Sequence, residues 1–137
     1  RPAATVLRQA REDDDGYYRG VRDDFRDRAE TLVAALADTP LHAHMPEGGY
    51  FVMADARALG YDDDTAACLD LPVRVGVGAI PPSAFYTPEH RHLARSWIRL
   101  AFCKPRPDLL EAGRRLASLT DPPAPPSPNV HEESDPA

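Results

Sequence analysis

The chain has 137 residues, and 16 Lys or Arg against 22 Asp or Glu give a formal net charge of −6. That length allows one domain, able to bury roughly two-thirds of its unfolded surface. The acidic balance argues against a surface for nucleic acid or anionic lipid, no apolar run approaches the ~20 residues that span a bilayer, and two cysteines, Cys68 and Cys103, make no disulfide framework and fit a reducing, cytoplasmic compartment.

Residues 3–10 are mildly helical, and Asp13, Asp14, Asp15 and Gly16 interrupt them. Tyr18, Val21, Phe25, Ala29, Leu32 and Leu36 then recur at spacings of three and four, which predicts an amphipathic helix over about 16–38. Its preceding acidic run suits a helix N-terminus, and Asp38-Thr39-Pro40 ends it. After His42 to Met45, the turn Pro46-Glu47-Gly48-Gly49 leads into an aromatic and branched strand over residues 50–54. The acidic run at 62–64 can cap a short helix over 65–71, and Val73 to Ile80 reads as a second strand stopped by Pro81-Pro82. A polar, hairpin-like connection over 87–95 reaches a third strand over 97–103. The closing helix starts near Pro107 and buries Leu109, Ala112, Leu116 and Leu119. From Asp121 onward there are six prolines, no aromatic residue and one branched aliphatic, Val130, a composition that predicts a disordered tail. The fold class is therefore α/β or α+β: a long first helix and a two- to three-stranded sheet with helices on one face.

Arg99 is the residue most suggestive of chemistry, because it interrupts an otherwise apolar strand, Trp97-Ile98-Arg99-Leu100-Ala101-Phe102. A buried guanidinium keeps its charge and needs an anion, either an Asp or Glu of the chain itself or a bound carboxylate that its planar fork can grip. His42-x-His44 and His90-x-His92 would each put two imidazoles on one face if extended, but without the acidic or Cys spacing of a zinc site they read as solvated, and no metal site is expected. Cys103 reads as a small core residue, Ser83 lacks a triad signature, and the acidic runs at 13–15 and 62–64 read as solvated caps. Gly76-x-Gly78 falls within a strand and lacks the helix that a phosphate cradle needs.

Three motifs occur in order: Pro46-Glu47-Gly48-Gly49-Tyr50-Phe51-Val52 followed by Asp55; Gly76-Val77-Gly78-Ala79-Ile80-Pro81-Pro82-Ser83-Ala84-Phe85-Tyr86; and Ile98-Arg99-Leu100-Ala101-Phe102-Cys103-Lys104. Together they resemble the class I/II, fold type I aminotransferases, nearest the branch of methionine, kynurenine and succinyldiaminopimelate aminotransferases. The resemblance covers about residues 3–120 and only the C-terminal part of such enzymes. It implies a lead-in over 1–15, a small domain over 16–120 and the Pro-rich tail over 121–137.

By the same resemblance Arg99 binds the α-carboxylate of the amino acid, and Tyr50 and Phe51 border the substrate side-chain pocket. In an extended strand those two rings leave opposite faces, so one of them lines it. Pro82 stands where the family more usually has Gly or another small residue. The family's pyridoxal phosphate, its Schiff-base lysine and its phosphate-binding groups belong to a large domain whose motifs do not occur here, so no catalytic or cofactor-binding residue is expected in this chain. The only lysine, Lys104, lies five positions from Arg99 and so on the opposite face of a regular strand. The intact enzyme would be a cytoplasmic homodimer that moves an amino group between an amino acid and a 2-oxo acid, and this chain alone is expected to be inactive. The alternative is a non-enzymatic remnant or interaction module that keeps the small-domain fold.

Overall fold

The computed structural model describes residues 2–12 and 16–119, so the expected tail and the acidic run at 13–15 lie outside the described residues. Helix α1 (Pro2–Glu12) precedes the long helix α2 (Gly16–Ala35). The apolar stripe of α2 is buried only in its second half. Ala29, Leu32 and Leu36 are inaccessible, Phe25 packs against the core edge, and Tyr18 and Val21 stay exposed. Those two line a groove of about 550 Å³ between α2 and the turn at Met45 to Gly49. The helix closes where the Thr39 hydroxyl donates to the Leu36 carbonyl at 2.7 Å and accepts from the Leu41 amide at 3.2 Å.

Strands β1 (His42–His44), β2 (Phe51–Asp55) and β3 (Trp97–Ala101) form an antiparallel sheet in the order β1-β2-β3. The register pairs His44 with Met53 and Met53 with Arg99. The expected turn joins β1 to β2, with Gly49 at φ +76°, a conformation that favours glycine. Alternation then sorts the sheet. Val52, Ala54, Ile98 and Leu100 are buried under the helices, and Phe51, Met53, Trp97, Arg99 and Ala101 lie half-exposed on the other face. Helix α4 (Arg106–Leu116) packs against α2, α2 also against β2, and helix α3 (Asp64–Val75) against β3. Three strands with helices on one face is the expected class.

Three expectations are corrected. Residues 73–80 are not a strand: α3 runs to Val75 and ends at Gly76, φ +70°, whose amide bonds the Pro72 carbonyl at 3.0 Å. The buried positions Asp64, Ala67, Cys68 and Leu71 follow helical spacing, and Pro72 lies on the exposed side of the helix. Of that segment only Ile80 pairs with β3. Next, the stretch read as a hairpin-like connection contains a 3₁₀ helix over Pro88–Leu93 that opens on Pro88. Finally, β3 stops at Ala101, which leaves Phe102 buried but Cys103 exposed rather than in the core. Among the described residues no helix is long and apolar enough to cross a membrane.

Candidate functional site

Arg99 sits in the middle of β3, with its backbone amide and carbonyl both bonded to Ile80 at 3.0 Å and with Met53 opposite on β2. Its neighbours Ile98 and Leu100 point into the core, so its own side chain leaves on the opposite face, beside the turn Pro82–Phe85. There the guanidinium carbon lies 4.0 Å from the centroid of the Phe51 ring and 4.7 Å from that of Phe85. The sequence expectation of burial is corrected: Arg99 is half-buried, and among the described residues no carboxylate forms an ion pair with it.

Two ring contacts contribute about 0.5–1 kcal/mol each at exposed sites, enough to bias the guanidinium's position but less than a charge-assisted bidentate contact. The guanidinium carries five N–H donors, and with no carboxylate paired to it among the described residues it can present them to an anion beside the two rings.

Tyr50 and Phe51 do not separate to opposite faces as alternation suggested. The strand begins at Phe51, Tyr50 lies in the preceding bend, and their ring centroids are 4.4 Å apart. Phe51 is the ring that touches Arg99. Phe85 was not legible as a partner, because its reach to Arg99 depends on how Pro82–Phe85, a 3₁₀ turn, folds back along β3.

That turn is tethered by Asp64. Asp63 caps α3, its Oδ1 accepting from the Ala66 amide at 2.8 Å. Asp64 is a different case and corrects the reading of 62–64 as solvated: it is 2% exposed, and its carboxylate accepts from the Ser83 amide at 2.7 Å and the Ser83 hydroxyl at 2.8 Å. The signal in the sequence was spacing, since Asp64, Ala67, Cys68 and Leu71 share one helical face and only one of three consecutive Asp residues can be the cap.

The other candidates are dispersed. Burial, reinforced by the negative charge of Asp64, pushes the Cys68 thiol up to about 12, which leaves it without thiolate character at neutral pH. The Arg57 guanidinium, bonded to the Asp55 carboxylate, holds that carboxyl below its ordinary value. His44 lies 5.3 Å from the Trp97 ring, whereas His90 and His92, in the 3₁₀ segment, engage the Thr87 hydroxyl and the Glu89 carbonyl at 2.9 Å. Among the described residues no group of three or more His, Cys, Asp or Glu side chains is placed to hold a metal ion.

The cofactor implied by the resemblance does not fit these residues. Lys104 is exposed in a bend after β3 has ended, so strand alternation does not govern its direction relative to Arg99. The start of α3 carries Asp63 and Asp64, which would repel a phosphate. At the start of α4, Arg106 is paired with Asp27 at 3.2 Å.

No protein-family model matches the chain. It is 39% identical over 129 residues to a Mycobacterium tuberculosis protein named "Probable N-succinyldiaminopimelate aminotransferase DapC", covering 90% of this chain and 32% of that one. It is 34% identical over 118 residues to the methionine aminotransferase of Escherichia coli, covering 86% and 30%. The solved structure of N-succinyldiaminopimelate aminotransferase from Mycobacterium tuberculosis superposes with a TM-score of 0.74 at 39% identity, over 84% of this chain and 29% of that one. The chain thus spans about a third of the length of the relatives it matches. In sequence and in fold alike, the chain is a homologue of the pyridoxal-phosphate-dependent aminotransferases of fold type I, matching a segment of them.

Proposed function

We propose that this chain is the C-terminal small-domain part of an aminotransferase, and that Arg99 binds the α-carboxylate common to its amino-acid and 2-oxo-acid substrates. The supporting observation is the state of Arg99: a guanidinium on the sheet face that the long helices leave open, against the Phe51 and Phe85 rings and without a carboxylate ion-pair partner among the described residues. A carboxylate docked edge-on would receive two parallel N–H bonds, the geometry Arg serves best. Phe51, with Tyr50 against it, would border the part of the substrate beyond the carboxylate. In this reading residues 1–15 lead in from a large domain, 16–120 form the small domain and 121–137 trail it. The pyridoxal phosphate and its lysine reside in that large domain of a cytoplasmic homodimer.

Sequencing the encoding DNA upstream of Arg1 tests the frame of this proposal: a lysine-bearing cofactor domain in frame supports it, and a broken or missing one favours a non-enzymatic remnant. In the intact enzyme, Arg99→Lys keeps the charge but loses the fork. We expect kcat/KM for amino acids to fall by roughly 10²-fold, corresponding to about 2–3 kcal/mol, with no such loss for an amine that lacks the carboxylate. A change below about threefold, against the size of a charged hydrogen bond, would refute the assignment of Arg99.

A further inference from the structure

We propose that Asp64 is a positioning residue for Arg99, acting through Ser83 to hold Phe85 against the guanidinium; this rests on Arg99 being the carboxylate-binding residue. Three observations carry it. Asp64 is 2% exposed and Ser83 8%, and both Ser83 donors, amide and hydroxyl, end on the one carboxylate. Ser83 lies inside the short turn Pro82–Phe85, which closes where the Tyr86 amide donates to the Ser83 carbonyl at 3.1 Å and so fixes the path through Phe85. Phe85, in that turn, is 68% exposed yet lies 4.7 Å from the guanidinium carbon.

An exposed phenyl ring has little hydrophobic reason to stay in one place, so its position must come from its backbone. The backbone leading into Phe85 is held twice, by the Ile80 pairing to Arg99 itself and, two residues before the ring, by the Asp64 tether at Ser83. The Tyr86 amide closes the far side by donating to the Ser83 carbonyl. A carboxylate suits this task because both of its oxygens accept, one from the Ser83 amide and one from the Ser83 hydroxyl. Its place in the first turn of α3 also favours a negative charge without a paired cation. The consequence is a guanidinium held beside two rings, which restricts the directions in which its donors can meet a carboxylate.

The test uses the full chain, ¹⁵N-labelled, and follows the Arg99 Nε–Hε resonance, assigned by its loss in Arg99→Lys and displaced by the ring currents of Phe51 and Phe85. Phe85→Leu marks the position without the second ring. Ser83→Ala, which removes the hydroxyl bond, is expected to shift the resonance part of the way toward that position, and Asp64→Ala, which removes both bonds, further. Thr39→Ala, which removes a comparable pair of hydrogen bonds in the turn after α2, should leave it in place. Folded Ser83→Ala and Asp64→Ala chains with the wild-type resonance would overturn the proposal. If Asp64→Ala does not fold, Ser83→Ala decides alone, and loss of the fold in Ser83→Ala would also overturn it, because the contact would then hold the domain rather than the ring. Titration of the wild type with sodium pyruvate judges the underlying reading separately. A pyruvate-dependent shift of the Arg99 resonance supports carboxylate binding, and none refutes it, whatever the ring-current arm shows.

Discussion

On the buried face of α3, Cys68 lies in the core and its thiol is pushed up to about 12 by burial, with the Asp64 charge adding to the shift, whereas Cys103 is exposed just beyond β3. In the folded chain at pH 8 we expect one thiol to react with an aromatic disulfide reagent, and Cys103→Ser to abolish that reaction until the chain is unfolded. The sign of the pH effect follows from the direction of the shift. The fold favours the neutral Cys68 thiol, and the unfolded chain ionises first, near the ordinary value of 9.0. Stability from this group is therefore complete below about pH 9 and declines as pH rises through about 12. Urea midpoints at pH 8 and pH 10 should fall in the wild type and fall less in Cys68→Ala. At this scale Arg99 was legible as an anion seeker from its apolar neighbours. Phe85 and Asp64 were not, because their roles depend on a turn that meets β3 only in three dimensions.

Helices α2 and α4 approach so closely that a Cβ on Gly113 would lie 2.5 Å from the Ala35 carbonyl oxygen and 2.6 Å from its Cβ. Gly113→Ala gains about 1 kcal/mol of helix propensity, yet the backbone it strikes cannot yield without moving a helix. We expect a net loss of about 1–2 kcal/mol in urea unfolding, within the usual range for overpacking. Pro72 shows the opposite balance. It is exposed, occupies the interior of α3 and offers no amide to the preceding turn. Pro72→Ala should stabilise the chain by about 2–2.5 kcal/mol, the helix-interior penalty of proline less the entropy it removes from the unfolded chain. A loss of stability would show that the proline sets the course of the segment from Gly76 to Ile80.

Over the whole molecule, one sheet face is covered by helices and the other leaves Phe51, Met53, Trp97 and Arg99 half-exposed. The described residues provide neither a phosphate cradle nor an enclosed lysine, and the sole lysine of the sequence is at the surface. Incubation of this chain with pyridoxal phosphate, followed by borohydride reduction and peptide mapping, should yield no stoichiometric label at Lys104 and no amino-group transfer. Stoichiometric labelling at Lys104 that disappears in Lys104→Ala, together with turnover, would contradict the proposed division of labour between this chain and a large domain.

By itself the sequence determined the class of the fold, the long helix, the bend before β2, the closing helix and the family resemblance. Each of these rests on local periodicity, on turn chemistry or on motifs that are contiguous in the chain. Helix α2 ends within a few residues of its expected stop, because the stripe ending in Leu36 is a local pattern. Tertiary structure alone decided the segment from Val73 to Ile80. Its branched residues favour a strand in isolation, but continuation of the buried face that starts at Asp64 carried the helix through Pro72 to Val75. It also decided that Arg99 meets two aromatic rings and no carboxylate among the described residues, and that Asp64 ties down Ser83 rather than facing water. Such partnerships join residues 14 to 48 positions apart, and periodicity over a single element carries no information about which elements will meet.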